Sequence, residues 1–567
     1  MKVQKFIHIL IPIFCATLLP QINAITPPPD GCYPKFTTAE GCKALQSLTG
    51  GVANTGIGWY SLFSTSTGNY NTAVGAGALD LNTADSNTAV GVGALLLNTN
   101  GTNNTANGTF ALVFNDTGEG NTATGAFSLY SNTVGQFNTA NGEFALYFNT
   151  SGERNTAMGD SALYQNTEGS RNTAVGNPAL LSNTTGNDNT AIGSSALFSN
   201  NADDNTAIGA GALSQNTAGS SNVAIGSGAL LGNTTLNNNT AVGFEALANN
   251  TGNVAGNSEN TAVGAKALFS NTTGYGNTAT GAFALQNNTT GIRNMANGIN
   301  ALFSNLTGDN NTAIGFNALF TNTTGGTNIA IGTQTLESNT IGQGNTAVGY
   351  HALDGNTIGN FNIALGESAG VSVTDGNSNI DIGNVGAAGD SGTIRIGAFQ
   401  TRTFIAGISG VLVPGGTTVF VAGDGQLGTV VSSARFKDEI RPMDKTSEVL
   451  FGLKPVAFRY KKEIDPERIP QFGLVAEEVE KVNPDLIVRD KEGRPYTVRY
   501  DQVNAMLLNE FLKEHKAFVE EQREVREQRA MIAQQQKQIE ALTAGLQKVS
   551  AKVELHEPVS QIAINNQ

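Results

Sequence analysis

A short phrase, Asn-Thr-Ala-Val-Gly or a near variant, returns every 17 residues through most of this chain. Its closing glycine falls at Gly58, Gly75, Gly91, Gly108 and Gly125, continues to Gly243, passes a four-residue insertion to Gly264, and runs on to Gly366 and Gly383. A leucine keeps the same register, from Leu62, Leu79, Leu95 and Leu112 to Leu353, so one unit reads roughly GxxALFxNTxGxxNTAV. Fixed apolar positions at a fixed period mark stacked units, each too small to bury its apolar face alone. The repeat dictates a rod of coils rather than a globule.

Each unit holds a short TAVG strand and a second ALF stretch, separated by Asn, Thr and Gly that suit tight turns and left-handed backbone. The expected fold over residues 54–383 is therefore a β-solenoid, a parallel β-roll of 17-residue repeats. Leu, Ala and Val or Ile are expected to fill its narrow interior, and the turn asparagines to form amide ladders along the stack. At about 4.8 Å per coil the rod is on the order of 90 Å long.

The rod offers little chemistry. Residues 25–431 contain only eight Lys or Arg, too few for the basic stripe that phosphate neutralisation requires, which argues against a nucleic-acid partner. Carboxylates do not recur at one position, so neither a glycosidase pair nor a calcium repeat is expected; the one histidine of the rod, His351, is isolated, and no metal or cofactor is implied. The repeat generates Asn-x-Thr triplets automatically, so they carry no weight as glycosylation sites. An outward threonine column (Thr72, Thr88, Thr105, Thr122) leaves open an ice-binding or purely structural fibre, and a tailspike-like carbohydrate hydrolase is the other alternative.

Residues 1–24, MKVQKFIHILIPIFCATLLPQINA, place Lys2 and Lys5 before an apolar run that ends on Ala24. This reads as a secretory signal peptide and puts the protein outside the cell or at its surface. A buried helix or a membrane anchor is the alternative, but Pro12 and Pro20 break the run, which is short for a bilayer span. A lipoprotein signal at Cys15 would follow the bulky Phe14. The mature chain would have no integral membrane segment. Residues 25–53 form an N-terminal cap in which Cys32 and Cys42 are candidates for a disulfide; two free thiols are the other reading.

Beyond the repeat, residues 384–431 alternate like short strands joined by glycine turns, a β-rich neck. From Ser432 the composition becomes that of a mixed α+β domain, residues 432–502, with RFKDEIRPM and QFGLVAEEVEKVN as amphipathic helical pieces and VAFRYK and YTVRYD as strands. Residues 503–556 carry Phe511, Phe518, Val525, Ile532, Ile539, Leu546 and Val553 at intervals of seven, with polar Glu514, Glu521, Gln528 and Gln535 between them. That is the seam of a coiled coil, and it predicts self-association. Residues 557–567 are a tail.

Two resemblances add to this reading. From Asn54 to Gly366 the NTAVG coils resemble the heads of trimeric autotransporter adhesins, which implies a left-handed roll, a homotrimer, and a surface glycan or matrix protein as ligand class. From Ser432 to about Leu512, the run SSARFKDEI, LFGLKPVAFRYK, FGLVAEEVEKVNPDLI and YDQVNAMLL resembles the self-cleaving intramolecular chaperone domain of endosialidase tailspikes. In that family a serine and a lysine five positions apart cut the chain within a pattern of the type S-[DS]-x-R-[LF]-K. The matching positions are Ser432 and Lys437, with Ser433 in the usually acidic second place, and the implied cut lies between Val431 and Ser432. The chemistry requires the lysine to lose its proton, so burial must lower its pKa from about 10.4 towards neutrality. The competing reading makes Ser432 or Ser433 a helix cap and Lys437 a solvated side chain.

Overall fold

The computed structural model describes residues 34–252, 258–406, 408, 414–422, 424–490 and 492–554. The signal peptide, Cys32 and the tail lie outside these residues; Cys42 is exposed. No described helix is long and apolar enough to cross a membrane. The chain divides into two units, residues 1–403 and 404–567.

The first unit is a parallel β-solenoid. Among the described residues, twenty-two three-residue strands, β1 (Thr38–Glu40) to β22 (Ile394–Ile396), pair in sequence order and in parallel, each in register with the equivalent residues one coil away. Thr72, Ala73 and Val74 lie beside Thr88, Ala89 and Val90, for example. Pairing starts within the expected cap and ends one coil beyond Gly383, where Ile380 sits against Ile394.

The core is narrower than the composition suggests. The middle residue of every strand from Ala73 to Ala364 is a fully buried alanine, and each coil adds one buried leucine, with a second small residue, usually alanine, beside it. Val or Ile at the third strand position points outward instead of filling the interior, because side chains alternate along a strand and the alanine takes the inner face. The ALF stretch is a chain of tight turns, and its leucines, Leu45 to Leu353, all have φ between 49° and 54°. Left-handed backbone costs an L-residue about 1–2 kcal/mol, and burying a leucine returns about 1.5–3 kcal/mol, so the strain is offset within the residue. A β-branched residue would add a clash of its own at such a φ, which accounts for leucine in this column.

Two columns of buried asparagine join the coils. In one, Asn71 N–H donates to Asn54 Oδ1 at 3.0 Å and Asn87 N–H to Asn71 Oδ1 at 2.9 Å. In the other, the Nδ2 groups of Asn115, Asn132 and Asn149 each donate to the Oδ1 one coil back at 2.7 Å. The glycine that closes each strand is equally constrained: Gly142 has φ 147°, and a Cβ there would lie 2.3 Å from the carbonyl oxygen of Gly159. Register, turn and residue type are thus fixed together.

Among its described residues the second unit has three antiparallel pairs: β23 (Phe420–Val421) with β24 (Leu427–Gly428), β25 (Val456–Phe458) with β26 (Gln471–Gly473), and β27 (Ile487–Arg489) with β28 (Pro495–Val498). Helix α1 (Ala476–Val482) and the 55-residue helix α2 (Tyr500–Glu554) complete it. Val479, Leu486, Ile487 and Val498 form a small core, on which Val503 and Met506 of α2 pack. Beyond its first turns α2 presents most of its heptad positions to solvent.

Candidate active site

The segment Val430–Ile440 holds one 3₁₀ turn, Ala434–Phe436, and a bend at Asp438 and Glu439, where a longer helical piece was expected. Phe436 N–H donates to Ser433 O at 3.0 Å and Lys437 N–H to Ala434 O at 3.1 Å, which turns the chain back on itself. The result is that Lys437 Nζ lies 3.1 Å from Ser432 Oγ. Five positions of separation become hydrogen-bond contact through a single turn.

Ser433 occupies the position before the turn, yet its side chain makes no capping hydrogen bond. Ser432 lies outside that position, with its hydroxyl against the lysine rather than against the backbone. The pair is solvent-exposed in the single chain, and so are Val430, Val431, Phe436 and Ile440 around it. The Arg435 guanidinium rests 4.8 Å from the centre of the Phe436 ring. An amine in contact with a hydroxyl next to a peptide bond can move a proton between Oγ and the departing nitrogen, provided water is kept away.

A second serine and lysine meet elsewhere in this unit, unsignalled in the sequence because 66 residues separate them. Ser447 is fully buried where a 3₁₀ segment, Asp444–Gly452, meets α2. Asn509 Nδ2 donates to its Oγ at 2.6 Å, Lys513 Nζ lies at 3.4 Å, and the hydroxyl donates to Glu510 Oε1. Lys513 in turn bonds Glu510 Oε1 at 2.6 Å. The lysine, then the serine hydroxyl, hold the Glu510 carboxyl below its usual range. Bound to one another in this way, these side chains fasten α2 to the 3₁₀ segment.

Residues 432–488 match the family model Peptidase_S74, described as the chaperone of endosialidase. The match opens on Ser432 itself. No curated protein and no solved structure matches the chain. Fold and match together define a long parallel β-solenoid followed by an endosialidase-type chaperone domain, the architecture of a tail-fibre-like protein.

Proposed function

We propose that this chain is an exported, trimeric fibre protein whose C-terminal domain assembles first, guides the rod into register, and then cuts itself free at Val431–Ser432. The observation that carries the reading is the 3.1 Å contact between Ser432 Oγ and Lys437 Nζ at the first residue of the chaperone match.

The step balances within the chain. Lys437, as free amine, takes the hydroxyl proton of Ser432; Oγ attacks the carbonyl carbon of Val431; and the bond from that carbon to the Ser432 nitrogen breaks as the lysine returns the proton to nitrogen. An ester then joins Val431 to Ser432 Oγ, and water hydrolyses it to a Val431 carboxylate and a Ser432 with a free amine. Each chain cuts once. A lysine gives up its proton near neutral pH only when taken out of water, and Lys437 is exposed in the single chain, so cleavage awaits the burial that assembly brings.

The test is intact mass and N-terminal sequencing of protein expressed without added protease. Wild type should yield a fragment from Ser432 to Gln567; Ser432→Ala and Lys437→Ala should assemble and stay full length. Ser433→Ala should still be cut, because Ser433 makes no contact with the amine. A wild type that remains whole after assembly, or a Lys437→Ala protein cut at the wild-type rate, would falsify the dyad.

A further inference from the structure

The outward face of the rod's strands is mixed in most coils, a Thr followed by Val, Ile or Met, with Val223 and Ile225 both apolar, and two groups of coils depart from this in opposite directions. In the coils of Thr105–Asn107, Thr122–Thr124 and Thr139–Asn141 both outward strand positions are polar. Towards the C-terminal end the same two positions become Ile329 and Ile331, Ile363 and Leu365, and Ile394 and Ile396. These side chains are in water: Ile363 is 43% exposed, Leu365 50%, Ile394 64% and Ile396 70%. Phe316 and Tyr350, at the corner beyond the strand, extend the surface.

Together they leave apolar area on the order of 800 Å², about what one partner contributes to a standard interface. A monomer seldom exposes so large a patch without a use for it.

We infer that these C-terminal coils are the contact between copies of the rod, and that the polar coils nearer the N-terminus are not. This rests on the reading of the chain as a self-associating fibre. Three observations select a second copy as the occupant. The apolar positions recur once per coil in strict register, so a parallel copy offers the same spacing at every level, which a non-repetitive partner does not. The chain carries a net charge of −14, so much of its surface repels a copy of itself, yet the outward strand positions from Thr312 to Ile396, like those of the earlier strands from Thr55 on, hold no charge. The apolar coils also form the end of the rod from which the chain leads into residues 404–567, whose helix α2 has an exposed heptad seam. Copies joined there hold these coils at high effective concentration.

The experiment places one cysteine at the same strand position in each region of the full chain, Leu365→Cys or Asn141→Cys. Each protein is oxidised beside wild type, the linked peptides are mapped by mass spectrometry, and light scattering gives the oligomeric state. The expected result is an oligomer in which Cys-linked peptides spanning residue 365 of two chains are at least tenfold more abundant than those spanning residue 141. An oligomer without the link at 365, whether that face is bare or covered by another molecule, overturns the interface and leaves self-association standing. Equal linking at both positions overturns its confinement to the C-terminal coils. A monomer overturns both.

Discussion

Asp381 stands in a column where every strand from Ala73 to Ala364 has an alanine, and Arg395 follows it one coil later. Burial raises the Asp381 carboxyl to about 6, with Asp390 adding to the shift and Arg395 opposing it, and its Oδ2 has no hydrogen-bond partner. Arg395 itself grips Asp390 through two bonds, at 2.7 and 2.9 Å. An unfolded aspartate titrates near 3.9, so between about pH 4 and 6 the folded rod holds more protons than the unfolded chain. The contribution of this group is therefore full below pH 4 and lost as the pH rises through 6. Asp80, also raised to about 6 by burial, acts with the same sign. Asp381→Ala, which restores the residue of the other coils, should shrink the fall in melting temperature between pH 4 and 6; an unchanged profile would show that Asp381 does not titrate in this window. Residues of this kind are hard to read in a sequence, because a lone aspartate in a repeat looks like surface until its register is known.

At the level of the coil, period and polarity made much of the fold legible. Repetition of Gly and Leu at one interval located the stacked parallel strands, and Asn at both turns announced the ladders. The direction of Val and Ile was not legible, since strand propensity and core hydrophobicity favour the same residues. The resemblance pointed to Ser432 and Lys437, but the 3₁₀ turn that brings their side chains within 3.1 Å was not legible, and a composition as charged as RFKDEI suggested a longer helix. Ser447, Asn509, Glu510 and Lys513 could not be found in advance, because nothing local links a 3₁₀ segment to a helix some 60 residues on. The ladder itself is testable. Asn132 Nδ2 donates to Asn115 Oδ1 at 2.7 Å and to Gly135 O at 3.0 Å, and Asn132 Oδ1 accepts from Asn149 Nδ2. Asn132→Ala strands these buried partners, at about 1–3 kcal/mol for each group left unpaired. A thermal or denaturant unfolding curve should show a clear loss; a loss within error would mean that the ladders follow from the stack rather than support it.

For the whole molecule, the order of folding is the central expectation. Parallel coils close slowly and can slip by a unit, because each looks like its neighbour. A domain that associates through α2 would set the register from one end, and its removal by cleavage would leave a rod held by a kinetic barrier. Val525→Asp with Ile532→Asp puts unpaired charges in the heptad seam, a cost of several kcal/mol, on the order of 2–7 per buried polar group. The variant should yield aggregated or degraded rod in place of soluble fibre, judged by fractionation and size exclusion, and normal yield would count against the chaperone role. The ladders also decide where such a fibre gives way. Asn183 Oδ1 has no donor above it, because the Nδ2 of Asn200, in a coil one residue short, donates to Ala202 O instead; Asn233 Oδ1 and Asn250 Nδ2, one coil apart just before the four-residue insertion, are likewise unmatched. Under tension along its axis a stack of coils opens first at its weakest plane, so among the described residues these two heights are where pulling is expected to unstack the rod before any other coil opens.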